Sequence, residues 1–237
     1  MHRFYQPSEA FAGNYINSSD KKLISQLSNV LRAKEGEKFL FFDGSGEEYL
    51  SQLIELQNNF VKLLIIDKKK GEAELEKEIV LYPSLLKADK FEWMLQKVTE
   101  LGVTKIVPVV SKRCIIDTIS QAKFNRYGEI IKEATEQCGG CIIPSLQEPV
   151  VFESAVQIAA NDNGCGFIAW EQEEEEQIPT SLRCDRVHFF IGPEGGYSKE
   201  EVDYALKNKI KAVSLGKRIL RAETASIYAL SILQNYN

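Results

Sequence analysis

The sequence predicts an α/β protein in which a small, mostly β domain precedes a larger domain built on a mostly parallel sheet. Three observations carry that expectation. Short apolar runs separated by turn residues crowd the first 70 positions. The stretch Lys68–Lys77 (KKKGEAELEK) is polar, carries a glycine and has Leu75 as its one large apolar residue, so it reads as a linker. From Ile79 onward, strand-sized apolar runs alternate with stretches of helical spacing, the mark of parallel strands joined by helices. These set a first domain over 1–70, a linker over 71–78 and a second domain over 79–237.

In the first domain a helix is expected over Asp20–Val30. Phe39–Phe42 and the partly alternating Tyr49–Ile54 flank Asp43-Gly44-Ser45-Gly46, and Asp-Gly between such runs signals a hairpin. Phe60–Asp67 is a further strand. In the second domain Ile79–Leu86 reads as a strand, and Asp89–Leu101 as a helix with Phe91, Met94, Leu95, Val98 and Leu101 at helical spacing. Gly102 stops that helix where glycine commonly does. Val103–Val110 follows as a strand, then helices over Phe124–Cys138 and Val151–Ala160. Gly166–Trp170, Val187–Ile191 and Ile210–Leu215 are strands, with helices from Ser198 and over Glu223–Leu233.

Composition narrows the class. No apolar run approaches the roughly 20 residues a membrane helix needs, and the start MHRFYQPSE has no signal-peptide core, so a cytoplasmic protein with no membrane partner is expected. The net charge of −5 is local: Glu171 and Glu173–Glu176 supply five negative charges, and the other 29 acidic residues balance 29 basic ones. That run reads as a solvated loop, and the charge neither suggests nor excludes a nucleic-acid partner. Five scattered cysteines argue against a disulfide framework, and small, buried or half-buried thiols are expected instead. Cys138 and Cys141 form a CxxC, but only His2 and His188 exist to complete a zinc set, so no metal is expected.

Two segments carry the chemistry. Gly192-Pro193-Glu194-Gly195-Gly196 directly follows the strand Val187–Ile191 and runs into Ser198, with Glu201 at capping-box spacing. Glycines at a strand's carboxyl end let backbone approach a ligand closely, at the edge where open α/β sheets bind ligands. The pattern is not GxGxxG and follows a late strand, which weakens a dinucleotide-binding reading. Leu215-Gly216-Lys217-Arg218-Ile219-Leu220-Arg221-Ala222-Glu223-Thr224-Ala225 also leaves a strand and starts a helix. Two arginines beside two apolar residues are odd for a plain connection. Ile219 and Leu220 suit an adenine wall, and Arg221 suits a polyanion or a developing negative charge. A helix start with solvated charges, or a salt bridge from Arg221 to Glu223, is the bland alternative.

Together, IGPEGG and LGKRILRAETA resemble the two most characteristic motifs of the RsmE family of SPOUT RNA methyltransferases. The opening HRFY, LRAKEGEKFLFFDGSGEEY from Leu31, KADKFEWMLQKVTELGVTKIVPV from Lys87 and RYGEIIKEATEQCG from Arg126 extend the likeness over nearly the whole chain. The resemblance implies an N-terminal PUA-like β-barrel that binds RNA, and a C-terminal α/β domain with a deep trefoil knot. It implies S-adenosylmethionine as cofactor, a homodimer, and methylation of N3 of a uridine in 16S ribosomal RNA, within the small ribosomal subunit. Carried over, Gly192, Pro193, Glu194, Gly195, Gly196, Leu215, Gly216, Ile219, Leu220 and Thr224 fall in the cofactor motifs. Arg3, Arg32, Arg113 and Arg126 fall in motifs set against RNA. Two positions depart: Gly140 stands where the family commonly has arginine, and Asn29 where many members have histidine.

Uridine N3 lies on the pairing edge, so the target must be unpaired or extruded. The nitrogen becomes a good nucleophile as its proton leaves, and charge spreads onto the flanking carbonyls, where a fixed arginine stabilises it. Arg221 is the first candidate and Arg218 the second, and Glu194, Glu223 and solvent stay open as acceptors of the proton. Ribose 2′-O methylation on the same kind of fold, and a non-enzymatic ribosomal RNA-binding factor, stay open as alternatives at this point.

Overall fold

A computed structural model describes residues 1–179 and 181–235. The chain divides into two compact units, Met1–Glu74 with Thr135–Ile143, and Leu75–Ala134 with the chain from Pro144 onward.

The first unit holds β1 (Arg3–Tyr5), β2 (Phe11–Ala12), β3 (Tyr15–Ser18), α1 (Lys21–Ser25), β4 (Lys38–Phe42), β5 (Glu47–Leu56) and β6 (Val61–Lys70). They form a six-stranded sheet ordered β1-β4-β5-β6-β3-β2, antiparallel except where β1 joins β4. The expected hairpin is β4–β5. Its turn needs positive φ at Gly44 and Gly46, both at 89°, where a side chain would be strained. Phe4, Ile16, Leu27, Phe39, Phe41, Leu53 and Leu63 make the core. The helix expected over Asp20–Val30 is α-helical only to Ser25 and widens into a π turn over Gln26–Val30. Asp20 caps it, accepting from the Lys22 amide at 2.8 Å. Within it the Ser28 hydroxyl donates to the Ile24 carbonyl at 2.7 Å, a back-bond that competes with regular helix.

The second unit runs β7 (Glu78–Pro83), α2 (Ala88–Glu100), β8 (Lys105–Ile106), β9 (Val109–Val110), α3 (Gln121–Cys138), β10 (Ser145–Leu146), β11 (Val150–Val151), α4 (Phe152–Ala160), β12 (Cys165–Ala169), β13 (Arg186–Ile191), α5 (Lys199–Lys207), β14 (Lys211–Val213) and α6 (Ala222–Leu233). The last residues of α3 belong to the first unit. Six strands form a wholly parallel sheet ordered β10-β8-β7-β13-β12-β14, and β9 pairs separately with β11. The single strand expected over Val103–Val110 is thus two short ones in different sheets. Pro108 stands between them, and proline has no amide to continue a ladder. Tyr82, Phe152, Ile168, Phe190, Tyr197 and Val202 form the core on one face of the sheet, with Tyr82 stacked on Phe190 at 4.3 Å between ring centroids.

The expectation of free thiols throughout needs correcting. Cys165 and Cys184 are joined as a disulfide, with Cα atoms 6.0 Å apart, while Cys114, Cys138 and Cys141 are free. The two meet because β12 and β13 are neighbours with Cys165 registered opposite Val187, an adjacency that cysteine spacing does not reveal. Among the described residues no helix is long and apolar enough to cross a membrane.

Candidate active site

Parallel strands point their carboxyl ends to one edge. Ile168 of β12 is level with Phe190 of β13, and Ala169 with Val213 of β14, so three chain segments leave the sheet side by side. They enclose a cavity of about 430 Å³, lined by residues 169–171, 191–196, 214–222 and Ala225. That volume suits a nucleoside-sized ligand.

The glycine segment is held closely. A Cβ on Gly192 would lie 3.1 Å from the Tyr197 amide nitrogen, and Gly196 has φ of +65°. Ser198 caps α5 in a reciprocal box: its hydroxyl accepts from the Glu201 amide at 3.3 Å, and Glu201 Oε2 accepts from the Ser198 amide at 2.8 Å. Glu201 is buried, and its Oε1 accepts from the Lys112 amide at 2.8 Å. On the exposed side, Lys90 pairs with Glu194 at 3.3 Å.

The segment Leu215–Arg221 forms the facing wall. Ile219 is 88% exposed, so it is an apolar group offered to the cavity rim and not part of the core. Lys217, Arg218 and Arg221 are exposed and line the cavity, and none has a hydrogen-bond or ion-pair partner among the described residues. Arg221 takes the N-cap position of α6 with no side-chain cap, so the salt bridge to Glu223 is not formed. Glu223 instead is 7% exposed, and its Oε2 has no partner among the described residues.

Of the cofactor candidates, Gly192, Pro193, Glu194, Gly195, Gly196, Leu215, Gly216, Ile219 and Leu220 all line the cavity, whereas Thr224 does not and is exposed on α6. Arg221 and Arg218 line it and Glu223 does not. Trp170 and Glu171 line it too, and sequence reasoning missed both. Trp170 Nε1 is a buried donor without a partner among the described residues, and a Cβ on Gly196 would come within 2.6 Å of Glu171 Oε1. Their signal was positional: they directly follow a third parallel strand, whereas the glutamate run beginning there was read as solvent-facing.

The arginines placed against RNA by resemblance differ in their surroundings. Arg126 makes a two-pronged pair with Glu92, both bonds at 2.8 Å, which holds that carboxyl below its ordinary pKa. Arg3 is half-buried, paired with Glu48, and donates to the Gly140 carbonyl at 3.0 Å and Cys141 Sγ at 3.2 Å. Arg32 is exposed and adopts φ of 52°, rare for a non-glycine residue. Arg113 stands beside the glycine segment, donating to the Gly195 carbonyl at 2.7 Å.

A family model described as RNA methyltransferase domain matches residues 73–234. The chain belongs to this RNA methyltransferase family. A second model, RNA methyltransferase PUA domain, matches residues 27–66, within the first unit. The likeness to relatives covers most or all of the chain. The chain is similar to ribosomal RNA small subunit methyltransferase E 2 of Borreliella burgdorferi, 30% identical with 100% of each chain covered. It is also similar to ribosomal RNA small subunit methyltransferase E of Mesomycoplasma hyopneumoniae, 33% identical over 76% of this chain and 79% of the other. Among solved structures, the ribosomal RNA small subunit methyltransferase E of Neisseria gonorrhoeae bound to S-adenosylmethionine superposes with a TM-score of 0.88 at 30% identity, covering 99% and 97% of the two chains.

Proposed function

We propose that this methyltransferase uses S-adenosylmethionine to methylate N3 of a uridine in 16S ribosomal RNA, within the small ribosomal subunit, as a cytoplasmic homodimer. The observation that carries the reading is the meeting of three strand-end segments at one cavity, with guanidinium groups on its wall that have no partner among the described residues. The residues fit the cofactor. A side chain at Gly192 would press on the Gly196–Tyr197 backbone and one at Gly196 on Glu171, so the loop keeps its close-packed shape only with glycine there; Ile219 and Leu220 offer an apolar wall, and Trp170 Nε1 offers a donor unused among the described residues. The relatives' names and the S-adenosylmethionine bound in the Neisseria structure support it. The deep trefoil knot implied by the resemblance belongs to the same reading.

When bound, the cofactor supplies an already activated methyl on a sulfonium. The chain's own task is alignment and charge. Gly192–Gly196, Leu215, Gly216, Ile219 and Leu220 hold the ligand, with Thr224 outside that wall. Arg221, with Arg218 behind it, stabilises the negative charge that grows on the uridine carbonyls as the N3 proton leaves. Of the carboxylates considered for that proton, Glu194 lines the cavity and Glu223 lies buried outside it, which favours Glu194. RNA docks on the first unit, where Arg32 and Lys34 are exposed.

The test is methyl transfer from labelled cofactor to small-subunit particles and to free 16S RNA, followed by nucleoside mass analysis. 3-Methyluridine is expected. A ribose-methylated product would replace this reading with 2′-O chemistry, and no transfer despite cofactor binding would leave a binding factor.

A further inference from the structure

We infer that Arg113 is a positioning residue for the glycine segment of the cofactor cavity, not a contact to RNA; this rests on the cavity's being the S-adenosylmethionine site. Arg113 lies in a tight turn after β9, closed by the Cys114 amide donating to the Ser111 carbonyl at 3.1 Å. From there its Nη1 donates to the Gly195 carbonyl at 2.7 Å and, at 3.4 Å, to that of Tyr197. Its aliphatic stem covers Gly195: a Cβ built there would lie 3.4 Å from both Cβ and Cδ of Arg113. Arg126, Arg186 and Arg3 each face a carboxylate, but Arg113 has no ion-pair partner among the described residues. Its charge is spent on two backbone carbonyls of one loop.

The same turn grips that loop a second time. The Lys112 amide donates to Glu201, whose other oxygen takes the Ser198 amide, so the turn is tied to both ends of the Gly195–Ser198 stretch. A segment with three glycines in five residues loses much freedom on ordering, and it has few side chains to restrain itself. An outside clamp sets its shape before the ligand arrives, and the ligand then does not have to order it. The planar guanidinium reaches two carbonyls together, which a lysine ammonium does less well.

Three measurements test this on the full-length protein: calorimetry with S-adenosylmethionine, affinity for 16S RNA at saturating cofactor, and amide hydrogen exchange. Arg113→Ala should raise the cofactor Kd roughly ten- to hundredfold, the worth of a charge-assisted hydrogen bond. Arg113→Lys should recover part of the loss. Exchange should quicken at the Gly195–Tyr197 amides and stay as in wild type along β13 and α5, while RNA affinity moves less than about twofold. Unchanged cofactor affinity in both variants overturns the inference, as does a loss confined to RNA affinity. A loss of cofactor affinity with faster exchange throughout the unit also overturns it, since Arg113 would then merely stabilise the fold. If Arg113→Ala does not fold, Arg113→Lys against wild type decides. A wild-type protein that fails to bind S-adenosylmethionine sinks the reading of the cavity instead.

Discussion

At the scale of single residues, chemistry and architecture separate by whether a charge already has a partner. Arg126, Arg186 and Arg3 are satisfied by carboxylates, whereas Arg221 and Arg218 stand on the cavity wall with no partner among the described residues. An unpaired guanidinium at a helix start costs little in solvent, and it becomes valuable when negative charge grows beside it in a site that excludes water. Arg221→Ala is therefore expected to lower turnover by about 10² or more, the range for losing one such donor. Cofactor affinity should move little, because that charge is absent in the ground state. Single-turnover methylation of saturating substrate beside cofactor calorimetry checks this, and near wild-type turnover would pass the role to Arg218. The glycines separate in a similar way. A Cβ on Gly195 would sit at contact distance from the Arg113 stem, whereas Gly196 has positive φ with Glu171 against it and Gly192 faces backbone, so these two are the more sensitive positions of the segment.

At the scale of elements, β13 carries both the site and a buried polar pair. His188 is 1% exposed, with Nδ1 hydrogen-bonded to the Tyr82 hydroxyl of β7 at 3.0 Å and Nε2 3.5 Å from Asp162. Burial pushes its pKa below the ordinary 6.5. Asp162 and Glu78 oppose that shift, and Arg186 and Lys105 add to it. The folded protein thus holds a neutral imidazole, while the unfolded chain takes up a proton below about pH 6.5. Stability should accordingly fall as pH drops through 6.5 toward the lowered folded value, by at most about 1.4 kcal/mol per pH unit for one proton. Asp162, held below the ordinary carboxyl range by Arg186, does not titrate in that window. Urea midpoints at pH 7.5 and 5.5 should differ more for wild type than for His188→Gln. Equal differences would place the pH dependence elsewhere, since His2, the one other histidine, is exposed.

At the scale of the whole molecule, the first unit is not a continuous stretch of chain. It takes in Thr135–Ile143, where Cys141 is fully buried. Glu74 Oε1 accepts from the Cys141 amide at 2.5 Å and the Ile142 amide at 3.0 Å, and the Tyr5 amide donates to Glu136 at 2.9 Å. Cutting the chain near residue 74 would strip that segment of these partners, so a truncation confuses RNA docking with damaged folding. Point changes separate them. The double variant Arg32→Ala, Lys34→Ala should weaken RNA binding and shrink its salt slope by roughly two, about one unit per lost phosphate contact. It should leave the S-adenosylmethionine Kd as in wild type. An unchanged salt slope would move the RNA surface elsewhere.

What the sequence determined by itself is what short spacings encode. The helical spacing of Phe91, Met94, Leu95 and Val98 makes α2, Asp43–Gly46 turns β4 into β5, and Ser198 with Glu201 caps α5. The two motifs that line most of the cavity were legible for the same reason, since each is a strand end, a loop and a helix start in a row. Only the tertiary structure decided the rest. That β12 ends beside β13 and β14 brings Trp170 and Glu171 to the cavity and lets Cys165 reach Cys184. That the turn after β9 meets the glycine segment sends Arg113 to Gly195. Local patterns record which dihedrals and which face a residue prefers. Which strands become neighbours is settled by burying apolar faces from the whole unit at once, among residues as far apart in sequence as β7 and β13 or α2 and α6, and no short window of sequence carries that choice.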